Sequence, residues 1–132
     1  MSVVYLDSSA FVKLFVEEPG TDELRRFLRT VPTRRVASVV MRTEAVRVAR
    51  RIGPEALSVV RAGLRRVDLL AMDDRALDAA ADLEPPSVRT LDAIHIATAM
   101  ALGDDLETIV TYDLRMADAA RALGLPVASP GA

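Results

Sequence analysis

Four short apolar runs, each ending at or beside a polar turn, are separated along the chain by longer stretches of helical periodicity. The first run, residues 3–7, starts on β-branched residues, shows no alternation and stops on Asp7. That pattern predicts a strand covered on both faces, as in parallel sheets. Ser8 or Ser9 then serves as cap for a helix over residues 10–16, which Pro19-Gly20 stops. Thr21 caps a helix over 22–28, with acids in its first turn and arginines toward its end, and Pro32 breaks it. A weak strand is predicted over 35–38 and a long helix over 39–52. Another helix spans 54–66, with Pro54 suited to a first turn. Residues 67–72 read as a third strand, and Asp73-Asp74 open a helix to residue 83. Thr90 caps the most apolar helix, 91–102. A fourth strand covers 108–112, a helix closed by Gly124 covers 114–123, and a short edge strand begins at Pro126. The last four residues are expected to fray. Strands alternating with helices predict an α/β fold of three layers, a central and mostly parallel sheet of four or five strands with helices on both faces.

Composition bounds this picture without changing it. The 132 residues suit one domain, 1–132, with a continuous core. Aromatics are 4% of the chain, so aliphatic side chains must fill that core. The absence of cysteine excludes disulfides and thiolate metal sites, and one histidine excludes a His-cluster zinc site. No apolar run approaches the ~20 residues of a membrane span. The amino end carries Asp7 and Lys13 in its apolar region and has no basic start, unlike a signal peptide. A reducing cytoplasm is the expected location. The net charge of −2 conceals an asymmetry: twelve arginines and two acids lie between Arg25 and Arg66, while twelve acids and four arginines follow from Val67. An arginine-favouring genome accounts for the first block as well as a phosphate-binding face does.

Four acids stand where chemistry is expected. Asp7 ends the first strand, either as a working residue beyond a strand's carboxyl end or only as a helix-capping acid. Glu44 shares the apolar face of its helix with Val40, Met41 and Val48, so it needs a partner or a cation; an ion pair with Arg47 is the simpler alternative. Asp92 opens the helix capped by Thr90, and with His95 and Thr98 forms its one polar stripe. Asp113 follows the fourth strand as Asp7 follows the first. Carboxylates gathered in one crevice repel: at ~5 Å and an effective dielectric of ~20 each pair costs on the order of 3 kcal/mol. Such a cluster implies raised pKa values or bound cations, and oxygen ligands alone point to Mg²⁺ or Mn²⁺. A Ser-His-Asp hydrolase would want a G-x-S-x-G elbow that is not visible, so His95 reads rather as a hydrogen-bonded structural residue, on a stripe that faces a polar site or an interface.

The ordered set Tyr5-Leu-Asp7-Ser-Ser-Ala-Phe-Val-Lys13, Arg42-Thr-Glu44, Leu91-Asp-Ala-Ile-His-Ile-Ala-Thr98 and Val110-Thr-Tyr-Asp113 resembles the PIN domain, and more narrowly the VapC toxins of toxin–antitoxin pairs. The resemblance spans essentially the whole chain. It implies a PIN-like fold with the Asp7 strand near the sheet centre, and a metal-dependent endoribonuclease using Mg²⁺, with Mn²⁺ able to substitute. It further implies inhibition by a VapB-like antitoxin, and homodimers. The family's acidic quartet falls on Asp7, Glu44, Asp92 and Asp113 as catalytic and metal-binding residues, with supporting hydroxyls at Ser8 and Thr111. Arg42, Arg47, Arg50 and Arg51 would meet the RNA backbone. A receiver-type phosphoacceptor fits poorly, because Lys13 is the only lysine, and a haloacid-type phosphatase would want an acid where Ser9 stands. A PIN-fold module that only binds antitoxin or RNA is the remaining alternative.

Overall fold

A computed structural model describes residues 2–31 and 34–132. In chain order these form β1 (Val3–Leu6), α1 (Ser8–Phe15), α2 (Thr21–Thr30), β2 (Arg34–Ser38), α3 (Val40–Ile52) and α4 (Pro54–Gly63). A 3₁₀ turn, Leu64–Arg66, leads to β3 (Asp68–Leu70), α5 (Asp74–Ala81) and α6 (Thr90–Met100). A second such turn, Gly103–Asp105, precedes β4 (Leu106–Val110), α7 (Leu114–Ala122) and β5 (Val127–Ala128).

The sheet order is β3-β2-β1-β4-β5, and every pairing is parallel. The unbroken apolar reading of β1 is explained by its central place, since all four of its residues are buried. Val4 and Leu6 face one side, packed with Phe11, Leu24, Met41 and Val60 from α1 to α4. Val3 and Tyr5 face the other, packed with Ile96, Ala99, Met116 and Ala120 from α6 and α7. α5 lies on α6 through Ala80, Ala93, Ile94 and Ala97. This is the three-layer α/β/α arrangement. From β1 the chain winds outward through β2 and β3, then returns to lay β4 against β1's other edge. The reversal places a topological switch point between β1 and β4, and the crevice beyond their carboxyl ends is where such sheets bind ligands.

Local chemistry moved several boundaries. α1 starts at Ser8, not Ala10, because Asp7 itself caps it. Gly20, in the left-handed region at φ +94°, precedes α2, and Thr21 caps nothing: its hydroxyl accepts from Glu18 N and donates to Lys13 O. Pro32, the expected breaker of α2, lies outside the described residues. α4 ends at Gly63, with a 3₁₀ turn in place of the helix expected through Arg66. The third strand is trimmed to three residues and the fourth stops at Val110, the partner of Leu6, where β1 runs out. Thr90 is the first residue of α6 rather than its cap, a position held by Arg89 without a side-chain bond.

The carboxyl tail is docked rather than frayed. Ser129 donates its hydroxyl to Thr111 O at 2.6 Å, and the Tyr112 phenol donates to Pro130 O at 2.7 Å. With each such bond contributing about 1 kcal/mol, removing residues 129–132 is expected to lower stability by roughly 2 kcal/mol. Denaturant titration against the full chain checks this.

Candidate active site

Asp7 lies at the switch point and is 4% exposed. Its Oδ1 accepts from Ser9 Oγ at 2.7 Å and from the Ala10 amide at 3.0 Å, and its Oδ2 accepts from Thr111 Oγ1. Helix cap and strand-end acid are therefore one and the same role-bearing group. Ser9 Oγ in turn accepts from the Tyr112 amide at 2.9 Å, and Thr111 Oγ1 accepts from the Asp113 amide at 3.1 Å. The loop after β4 is thus tied to the end of β1. Of the two serines, Ser9 rather than Ser8 reaches Asp7, because a helix that starts at Ser8 turns the next side chain back toward its cap. Burial raises the Asp7 pKa above the ordinary carboxylate range, although the bonds from Thr111, Ser9 and Ala10 and the nearness of His95 all oppose that shift.

Asp113 repeats the arrangement in a more open place. It caps α7, accepting from the amides of Arg115 at 3.0 Å and Met116 at 3.4 Å, and it is exposed. Asp92, half-buried in the first turn of α6, has its pKa raised, first by burial and next by the charge of Asp113. These two acids therefore share one field. Glu44 comes from α3 on the other side of the crevice, and its Oε1 stands 2.7 Å from His95 Nε2. That contact replaces the ion pair considered with Arg47.

His95 is the residue that joins these parts. It is 2% exposed, and its Nδ1 lies 2.6 Å from the Tyr5 hydroxyl. The Ser38 amide donates to the same hydroxyl at 3.2 Å. Burial pushes the Tyr5 phenol far above its ordinary pKa, a shift to which Asp7 and Glu44 also contribute, so the phenol keeps its proton. One arrangement satisfies every group: Ser38 N–H donates to the Tyr5 hydroxyl, which meets His95 Nδ1, while Nε2 of the same ring meets Glu44. A fully bonded relay thus runs from β2 through β1 and α6 to α3. Sequence reasoning had His95 as a bonded structural residue without its partners. Tyr5, two residues before Asp7 and hence on the opposite sheet face from Leu6, was the available signal. The polar stripe of α6 divides: Asp92 and His95 turn to the crevice, while Thr98 donates to Ile94 O at 2.6 Å within its own helix.

Arg42, Arg47, Arg50 and Arg51 are all exposed along α3. Among the described residues no three His, Asp or Glu side chains form a group that could hold a metal ion as they are placed. The donor chemistry nevertheless suits a hard cation. Ionised Asp7 has about four acceptor positions, of which three are taken, leaving one on Oδ2. Glu44 has one oxygen engaged by His95. Asp7 and Asp92 are both destabilised as anions, the condition a divalent ion would relieve.

A parallel 3-2-1-4-5 sheet with strand-end acids flanking its switch point, and further acids arriving on α3 and α6, defines a class. The PIN domain model matches residues 4–122, and the chain belongs to the PIN domain family. Within it the chain is 51% identical to ribonuclease VapC46 of Mycobacterium tuberculosis over 130 residues, 98% of this chain and 99% of that one. It is 40% identical to ribonuclease VapC35 of the same species over 133 residues, 98% of each. The fold is shared with the crystal structure of Mycobacterium tuberculosis VapC20, a sarcin–ricin-loop-cleaving toxin, at a TM-score of 0.75, 17% identity and coverage of 96% of this chain and 99% of that one. It is likewise shared with a toxin–antitoxin complex from Klebsiella pneumoniae, at 0.72 and 19%, covering 96% and 97%.

Proposed function

We propose that this protein is a metal-dependent endoribonuclease of the VapC kind, a toxin restrained by a VapB-like antitoxin. The observation that carries the reading is the buried Asp7 at the switch point, held by Ser9, Ala10 and Thr111 and still raised in pKa, with Thr111 also accepting from the Asp113 amide and Asp113 in turn raising Asp92. Relatives 51% and 40% identical over nearly their whole length are named ribonucleases, which supports the same chemistry here. The reaction class is hydrolysis of an RNA phosphodiester, in which water displaces the 3′ oxygen and leaves a 5′-phosphate and a 3′-hydroxyl.

Asp7, Asp92, Asp113 and Glu44 would hold Mg²⁺, with Mn²⁺ able to substitute. When bound, the ion supplies Lewis acidity and a water of lowered pKa. The chain's own part is positional. Thr111 and Ser9 fix the Asp7 carboxylate, His95 fixes Glu44, and the exposed arginines of α3, Arg42, Arg47, Arg50 and Arg51, bind backbone phosphates without choosing a sequence. Choice would come from RNA shape and unpaired bases. Similarity to toxin–antitoxin complexes supports the antitoxin partner. A homodimer and a cytoplasmic location complete the proposal; among the described residues no helix is long and apolar enough to cross a membrane.

Pure protein is expected to cut structured RNA with Mg²⁺ or Mn²⁺, to stop with EDTA, and to stop when its antitoxin is added. RNA bound but uncut across a broad panel, with metal present, would instead identify a binding module.

A further inference from the structure

The sheet has a second charged end. Arg25 and Arg29 lie one turn apart on α2, Arg35 stands early in β2, and Arg66 precedes β3. Together with Leu14 and Phe15 they line one cavity of about 260 Å³. Phe15 is held in place from behind, since its ring lies where a Cβ on Gly63 would meet it at 2.7–2.8 Å. Arg25 is oriented by two bonds to Leu14 O, at 3.0 and 3.3 Å, and its Nη1 meets Glu17 at 3.1 Å. Glu17 is the one carboxylate paired within this group. Arg29, Arg35 and Arg66 make no ion pair among the described residues. Arg35 is half-buried, and its burial together with the like charge of Arg66 lowers its pKa. Cations thus face one another across a concavity with an apolar floor, an arrangement that an anion relieves.

We infer that Arg25, Arg29, Arg35 and Arg66 form a phosphate subsite, with Leu14 and Phe15 as its floor, that takes a phosphodiester of the RNA away from the cleaved bond. Arg35 stands in register with Val4, three residues before Asp7, so at least ~10 Å of strand separates this subsite from the acids. One phosphate cannot occupy both. Planar guanidinium forks around an aromatic floor suit a nucleotide's phosphate and base together. The subsite rests on the ribonuclease reading for the identity of its ligand, and its test does not require catalysis.

The test is anisotropy of a labelled oligouridylate of roughly 20 nucleotides bound to the full chain in EDTA, between about 50 and 200 mM salt. Loss of one phosphate contact predicts a salt slope shallower by ~0.7 and affinity lower by about five-fold at 0.1 M salt. Arg35→Gln/Arg66→Gln is expected to show both changes, and Arg66→Gln alone, at an exposed position, to show them without risk to folding. Arg61→Gln/Arg75→Gln, which removes equal charge at positions outside both the subsite and the acids, is expected to keep the slope. An unchanged slope in the pocket variants, or an equal change in the control pair, overturns the subsite. So does inorganic phosphate that raises the melting temperature of the wild type alone while RNA binding is identical, which would assign a free phosphate compound. Intact RNA binding with lost antitoxin retention would assign an acidic protein segment and overturn it too. Pocket-dependent RNA binding without cleavage keeps the subsite and sinks the nuclease; Asp7-dependent cleavage with pocket-independent binding does the reverse.

Discussion

Asp7→Asn is expected to abolish RNA cleavage while making the metal-free protein more stable. Residues that merely orient a metal ligand are worth 10–100-fold, so loss of a ligand carboxylate should cost at least ~10²-fold in kcat/KM. The stability change has the opposite sign. The folded-state pKa of Asp7 lies above its unfolded value because burial disfavours the anion. Folding therefore takes up a proton at this site, and the associated stability is present at low pH and lost as pH rises through the raised pKa. Above the ordinary carboxylate range the wild type therefore carries a cost for burying this group that a neutral side chain does not. Asparagine is neutral, and its side-chain oxygen can still accept from Ser9 and Ala10. Thermal melts in EDTA at pH 7 should thus rank the variant above the wild type, with the gap closing toward pH 4. Adding Mg²⁺ should reverse the order, since only the wild type gains binding free energy. A variant less stable than wild type in EDTA would show that Asp7 is held chiefly for its cap.

The second large effect is predicted at His95, in activity and stability together. His95→Ala leaves the Tyr5 hydroxyl and Glu44 without their partner and opens a cavity beneath the crevice. Each unsatisfied buried polar group costs about 1–3 kcal/mol, so a total of roughly 3–5 kcal/mol is expected by denaturant titration. Tyr5→Phe, which keeps the ring and removes only the hydroxyl, should cost about 1–3 kcal/mol. His95→Gln preserves a donor and separates folding from function. Its expected signature is a 10–100-fold weaker metal affinity, read by calorimetry, and a similar fall in kcat with little change in KM for RNA. In a double-mutant cycle, Glu44→Gln should add little once His95 is Gln, because the two act as a unit. Full additivity would mean that His95 supports the fold alone.

Much of the architecture was legible along the chain. The apolar run of β1 read as a strand covered on both faces because residues buried on both sides lose their alternation, and that is a local property; its place near the sheet centre followed from the family resemblance. Asp7 and Asp113 were visible because both directly follow such runs, and Glu44 because a carboxylate on the apolar face of α3 is out of place. Capping was misread at Ser8 or Ser9, Thr21 and Thr90, where several hydroxyls and acids competed within a turn and each differs from the next by a fraction of a kcal/mol. The tail was misread because Ser129 and Pro130 are held by Thr111 and Tyr112, some 18 residues away in sequence.

By itself, then, the order of residues determined the alternation of strands and helices, the family, and the acids at the strand ends, since each follows from contacts within a few positions. Which of Ser8 and Ser9 serves Asp7, the choice of His95 over Arg47 as partner of Glu44, and the gathering of four arginines at the far pole were decided only by tertiary structure. Those contacts join Glu44 to His95 across 51 residues and Tyr5 to His95 across 90. The reason is physical: periodicity records which face of an element is buried, whereas the atom that meets a buried polar group is set by how separate elements stack on the sheet.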